Sequence, residues 1–147
     1  MHNHGHTLVG LGGGIALASF EPTVYGQGLA VIGALAGASA PDWLEIWRKR
    51  EVNGRVVRTP IIPHRTFTHW LLPWLFLVGY AFHLDAVLLQ GFAIAGVLHL
   101  ASDFPNKMGI PLINPFGRKC LGWWPSGTFD VPLGVSAVLL GLSFWYP

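Results

Sequence analysis

Seven side chains able to hold a metal ion fall in short groups along the chain: His6, then Asp42 and Glu45, then His64 and His69, then His99 and Asp103. Asp42 and Glu45 are three residues apart, and His99 and Asp103 four apart. Both spacings place a pair on one helix face. His64 and His69 are five apart and would diverge by about 140° on a continuous helix. The expectation is therefore that His64 sits in the loop after Pro63 and folds back, while His69 projects from the first turn of a helix. The donors are imidazole and carboxylate with no thiolate, because the single cysteine, Cys120, has no companion. Such a set suits zinc, manganese or iron better than calcium. Seven donors exceed the four of a tetrahedral zinc. Either two metals share a bridging carboxylate such as Asp42 or Asp103, or one metal takes four donors and the rest serve as outer partners or general base. A bound metal acidifies its water, and a carboxylate not used as ligand, Glu45 or Asp103, would take the proton. Arg65, beside His64, is placed either against an anionic substrate or in an ion pair with Asp42 or Asp103.

Other polar residues receive plainer readings. His2 and His4 belong to a polar start that lacks the basic segment of a cleavable signal peptide. His83, Asp85, Glu21 and Asp130 read as helix caps or solvated charges.

The elements that must position the seven are apolar. Hydrophobic residues make up 52% of the 147 and charged residues 11%, with mean hydropathy +0.48; an average soluble domain is about one quarter charged. Five apolar stretches run from about Thr7 to Phe20, Val24 to Ala40, Trp70 to Phe82, Ala86 to Ala101 and Val131 to Trp145. Each is shorter than the roughly 20 residues that cross a bilayer, but His6, Asp42, His69 and Asp103 can extend them. All nine Lys and Arg lie in two intervals. Arg48, Lys49, Arg50, Arg55, Arg58 and Arg65 separate the second and third stretches; Lys107, Arg118 and Lys119 separate the fourth and fifth. The positive-inside bias then predicts an all-α polytopic transmembrane bundle of about five spans, a single integral membrane domain over residues 1–147. Its N-terminus and metal site would face the cytoplasm of a bacterial inner membrane, and its C-terminus the outside. Glycines 10, 12, 13 and 14, and then 26, 28, 33 and 37, predict close packing of the first two helices.

Four blocks resemble a known family. They are His6-Thr7-Leu8-Val9-Gly10; Gly37-Ala38-Ser39-Ala40-Pro41-Asp42; His64-Arg65-Thr66-Phe67-Thr68-His69, the most specific; and His99-Leu100-Ala101-Ser102-Asp103, followed by Gly109-Ile110-Pro111-Leu112 and Asn114-Pro115-Phe116. The family is that of LexA-regulated, inner-membrane-associated, metal-dependent hydrolases, and the resemblance covers most of the chain. Many members carry a second Asp two residues after the first, where this chain has Leu44; Glu45 is the candidate replacement. The resemblance implies metal-dependent hydrolysis and leaves the substrate open.

Together these readings predict a membrane-embedded, metal-dependent hydrolase at the cytoplasmic face. Its cofactor would be one or two divalent ions and its substrate a lipid or lipid-linked phosphoester, with membrane lipids as partners and no nucleic acid. The rival readings are a non-catalytic subunit with a structural metal and a metal or proton transporter. A haem protein is disfavoured by the carboxylates beside His6, His69 and His99.

Overall fold

Thr23 starts a helix where the second apolar stretch begins. In the computed structural model, which describes residues 3–45, 47–52, 54–61, 65–125 and 127–145, its backbone is extended and its hydroxyl accepts the Gly26 N–H at 3.0 Å. One orphan donor of the helix is thereby satisfied. This helix, α2 (Val24–Gly37), packs on α1 (Asn3–Ala18) and on α5 (Val87–Asp103). The glycines divide between these neighbours. Gly10 and Gly14 of α1 lie against Ala38 and Ala34, whereas Gly33 and Gly37 of α2 lie against the α5 backbone at Leu88 and Phe92. A β-carbon at either of the latter would strike that backbone.

Pro41 breaks the second stretch. Proline has no N–H to bond the Gly37 carbonyl and clashes with it, so α2 ends at Gly37 and a short α3 (Ala40–Trp43) follows. Two hairpins flank the remaining helices. Strands β1 (Trp47–Val52) and β2 (Arg55–Pro60) pair antiparallel, with Trp47 opposite Pro60 and Val52 opposite Arg55. Then come α4 (Leu71–His83) and α5, joined by a tight connection with Asp85 at φ 51°. Strands β3 (Ile110–Pro111) and β4 (Arg118–Lys119) pair before α6 (Asp130–Ser143) closes on α1.

Among the described residues the framework is six helices, with α5 at its centre against α1, α2 and α4. Small residues fill the interior: Ala30, Ala34, Ala81, Ala93 and Ala95 are fully or almost fully buried. Trp74, Leu100 and Ile110 plug the end where α5 finishes. Many bulky apolar side chains point outward instead, Phe76 on α4 and Leu139 on α6 among them.

No helix among the described residues is long and apolar enough to cross a membrane. The five-span transmembrane bundle, its inner-membrane placement with inside and outside ends, the lipid partners and lipid-linked substrate, and the membrane-embedded form of the activity are corrected by this finding. The physical reason is length. The longest helix, α5, has 17 residues and rises about 25 Å, against roughly 30 Å of hydrocarbon. The flanks that were to lengthen the apolar stretches do not do so: Asp42 belongs to the separate α3, and His69 precedes the Trp70 cap of α4. The charge pattern that suggested a topology has a local origin. Apart from Arg65 and Lys107, every Lys and Arg lies on β1, β2 or β4.

Candidate metal centre

The break at Pro41 has a chemical consequence. In a continuous helix the Ala38 carbonyl would accept the Asp42 N–H. Here that N–H goes to the Ser39 carbonyl at 3.1 Å, and Ala38 O is 2.8 Å from His99 Nδ1. A carbonyl only accepts, so His99 carries its proton on Nδ1 and presents Nε2 as a lone pair. That Nε2 is buried and makes no hydrogen bond among the described residues. It faces Asp42 Oδ1 and Asp103 Oδ2, each at 3.8 Å.

His6 is fixed in the same way. The Ser102 hydroxyl donates to the His99 carbonyl at 2.8 Å, so toward His6 Nδ1, 3.1 Å away, it accepts. His6 Nε2 then faces Asp103 Oδ1 at 3.7 Å, and its ring stacks on His99 with centroids 3.6 Å apart. For His69, Thr68 Oγ1 and Glu45 Oε1 lie on the Nδ1 side, at 3.1 and 3.7 Å. Carboxylate oxygens thus lie on both sides of this ring, Glu45 at Nδ1 and Asp42 at Nε2. His69 Nε2 looks inward, 3.3 Å from Asp42 Oδ1 and 4.0 Å from Asp103 Oδ2. The segment that carries His69 is pinned by the Trp74 indole, which donates to the Thr68 carbonyl at 2.8 Å.

Three Nε2 atoms and two carboxylates therefore meet at the C-terminal end of α5. Two triads have donor atoms all within 4.8 Å of one another: His6, Asp42 and His99; and His69, His99 and Asp103. These His/Asp clusters can coordinate a divalent metal ion. The buried, unbonded Nε2 of His99 is an atom that a metal would satisfy, and the donor chemistry fits one.

Electrostatics prepares these groups. Burial, and next the His99 ring, pull His6 from 6.5 down to about 3 against the opposing pull of Asp103. Burial also lowers His99, against Asp42 and the Ala38 carbonyl. Burial pushes Asp42 up, but the His69 hydrogen bond and the nearby His99 prevail and hold it below the usual carboxylate range. For Asp103 burial is again outweighed, chiefly by the Arg65 guanidinium. Neutral imidazoles beside ionised carboxylates are the protonation states that a metal requires.

Arg65 is buried and its guanidinium meets Asp103 Oδ2 at 2.8 Å. Its backbone is left-handed, φ 59°, a sparsely populated state held by its own N–H donating to Glu45 Oε1 at 3.2 Å. Glu45 thus stands behind His69, at the Nδ1 side, rather than among the inward-facing Nε2 atoms. His64 lies outside the described residues. Asp42 is one-third exposed while the His69, His99 and Asp103 side chains are sealed, so the site opens past Asp42.

Sequence reasoning passed over Ser102 and Asn106. Ser102 sets the His6 tautomer, and Asn106 Nδ2 donates to Asp103 Oδ1 at 3.0 Å. Their places beside Asp103 and one turn beyond it were the available signal. His4 is exposed, and His83 and Asp85 are exposed at the opposite end of the bundle.

Comparison with known proteins follows this geometry. The family model described as YdjM inner membrane protein matches residues 1–146. A Bacillus subtilis (strain 168) protein described as uncharacterized protein YfhP is 29% identical over 154 aligned positions, covering 96% of this chain and 45% of that protein. The chain thus spans less than half the length of that relative. No solved structure matches the chain.

Proposed function

The chain belongs to the YdjM inner membrane protein family, and from that premise we propose that it is a metal-dependent hydrolase with one divalent ion at the end of α5. The observation that carries the reading is the convergence of three imidazole Nε2 atoms with Asp42 and Asp103, each nitrogen aimed by a separate hydrogen bond on its Nδ1 side. The two donor triads share His99, whose Nδ1 is committed to Ala38. One remaining lone pair serves one ion, which favours a single metal over a bridged pair. Three nitrogens and a carboxylate favour zinc, ahead of iron and manganese.

In this reading His6, His69, His99 and Asp42 hold the ion. The chemistry supplied with the ion bound is polarisation of a scissile bond and acidification of water. Asp103, its oxygens held by Arg65 and Asn106, accepts a proton from the attacking water. Arg65 keeps Asp103 ionised for that task. Glu45 orients His69 and the Arg65 turn, and water and substrate enter past Asp42. Control by LexA, which the family resemblance implies, belongs to the same proposal and is read as a change in transcript level when LexA is removed.

The test combines elemental analysis of protein purified without chelator with a hydrolysis panel of p-nitrophenyl phosphate, bis-p-nitrophenyl phosphate and p-nitrophenyl acetate. The expected result is close to one zinc per chain and turnover of at least one ester that chelator abolishes and zinc restores. Asp103→Asn should keep the metal and lose turnover. A chain that neither carries nor takes up metal would end the proposal.

A further inference from the structure

Charge is sorted along the bundle. The net charge of the whole chain is only +2, too small by itself to point to a polyanionic partner. Yet all nine Lys and Arg belong to the two hairpins, to Arg65 or to Lys107 just past α5. Both hairpins are rooted on the metal centre. β1 follows Glu45 and β2 precedes Arg65, and the Arg65 N–H donates to Glu45 Oε1 at 3.2 Å, which closes the base of the first hairpin. The second is tied to the end of α5, where the Leu121 and Trp123 N–H groups donate to the Phe104 and Pro105 carbonyls at 3.1 and 3.0 Å. The Trp70 indole, next to His69, donates to the Ile113 carbonyl at 2.9 Å. Glu21 and Asp85 stand at the opposite end, which leaves nine cations against five carboxylates at this one.

The first hairpin shows how the cations are presented. Arg48 pairs with Thr59, Arg50 with Val57, and Arg55 with Val52. Directly opposed residues share a face, as do alternate residues along a strand. Arg48, Arg50 and Arg55 therefore lie on one face. Glu51, the only carboxylate on the two strands, belongs to the other face with Lys49. The three arginines are exposed, and none forms an ion pair among the described residues. Alternate residues stand about 7 Å apart along a strand, close to the separation of neighbouring phosphates in an extended nucleic-acid strand. Guanidinium groups suit phosphate oxygens through paired N–H donors.

The second hairpin adds flat apolar rings. Phe116 and Trp123 flank Arg118 and Lys119 in sequence and are 70% and 67% exposed. Cations beside open aromatic faces match a backbone of phosphates carrying unstacked bases. An acidic protein surface would use the cations and leave the rings idle, and a duplex hides its base faces. We propose that the metal-bearing end binds single-stranded nucleic acid, with phosphates on Arg48, Arg50 and Arg55 and bases on Phe116 and Trp123. None of these residues is a metal ligand, so the binding needs no bound ion.

Fluorescence anisotropy of a fluorescein-labelled oligothymidylate of about 20 nucleotides tests this on the full chain, with chelator present so that hydrolysis cannot intervene. Release of counterions from about four phosphates predicts about 50-fold weaker binding as KCl rises from 50 to 200 mM. The Arg48→Ala/Arg50→Ala/Arg55→Ala triple variant should bind at least about tenfold more weakly at the lower salt and lose more than half of the salt dependence. Trp123→Ala should cost about tenfold with the salt dependence unchanged, and should leave binding of an abasic strand of equal length as it was. No rise in anisotropy at the lower salt, or an abasic strand bound as tightly as the oligothymidylate, would overturn the proposal, and neither result needs a variant to fold. A triple variant with native circular dichroism and unaltered affinity would overturn it as well. So would displacement of the oligonucleotide by phosphatidylglycerol vesicles at equal phosphate concentration, which would assign the cations to an anionic lipid surface.

Discussion

The two ends of α5 place similar chemical groups in opposite arrangements. At its C-terminal end, His99 and Asp103 join His6, Asp42 and His69, with nitrogens and oxygens 3.3 to 4.0 Å apart. At its N-terminal end, Gln90 joins Glu21 and Asp85 around about 460 Å³ of open space. The first set mixes lone-pair nitrogens with anionic oxygens and closes on a point. The second has two carboxylates and an amide at its rim and surrounds a volume. Donors that close on a point fit an ion; carboxylates spread around an apolar volume do not. The shared carboxylates decide neither case; the distance between groups and the presence of oriented imidazoles do.

The largest expected effect separates the two ends directly. His99→Ala removes the donor common to both triads. A structural zinc is worth about 10–16 kcal/mol over its ligands, so losing one should weaken zinc by about 10²- to 10³-fold in a competition assay with a chromogenic chelator. Glu21→Gln and Asp85→Asn should leave zinc affinity and stoichiometry as they were. If His99→Ala holds zinc like the unaltered chain, the contrast between the ends collapses. Next in size is Arg65→Met. Breaking a buried ion pair by removing one partner costs about 3 kcal/mol or more, so the metal-free chain should lose about that much in urea unfolding. Smaller again is Ser102→Ala, which frees the His6 tautomer. Loss of such an outer partner should cost about tenfold in zinc affinity, whereas Gln90→Leu should cost none.

How far the sequence could be read differs between the same regions. His99 and Asp103 share a face because α5 is regular there, and a spacing of four is visible in any helix. Their encounter with His6 and His69 depends on packing that no spacing states. It arises because Gly33 and Gly37 let α2 approach α5 to backbone contact, and because Pro41 then turns Asp42 into the site. The hidden part is tautomer control: Ala38 acts through a carbonyl that a helix break frees, and Ser102 through a hydroxyl already engaged with a backbone oxygen. The membrane reading failed because average hydropathy does not measure element length. A helix built largely of Gly, Ala and Leu, such as α1, is only 16 residues long, and its first turn is polar. The sorted charges likewise followed from two hairpins, which a pattern of Lys and Arg does not distinguish from loops.

The smallest expected effect concerns protons, and its sign follows from burial. Folding lowers His6 from 6.5 to about 3 and lowers His99 as well. Between those values the unfolded chain binds protons that the folded chain refuses, so stability falls as pH drops from about 6.5. His6 contributes about 1 kcal/mol of loss by pH 5.5, and His99 acts in the same direction. Asp42 and Asp103, also lowered on folding, contribute stability above the ordinary carboxylate value near 3.8. They add nothing to the difference between pH 7.5 and pH 5.5. Unfolding free energies of chelator-treated protein from urea titration at those two values should therefore differ by about 1 kcal/mol or more, and His6→Gln should remove about 1 kcal/mol of that difference. Saturating zinc should raise stability by about as much at pH 5.5 as at pH 7.5, because His6 and His99 stay deprotonated in the folded chain at both values. A chain equally stable at both values without metal would mean that His6 and His99 accept protons while folded, and imidazoles that freely accept protons would not be the lone-pair donors that set this end of α5 apart from the other.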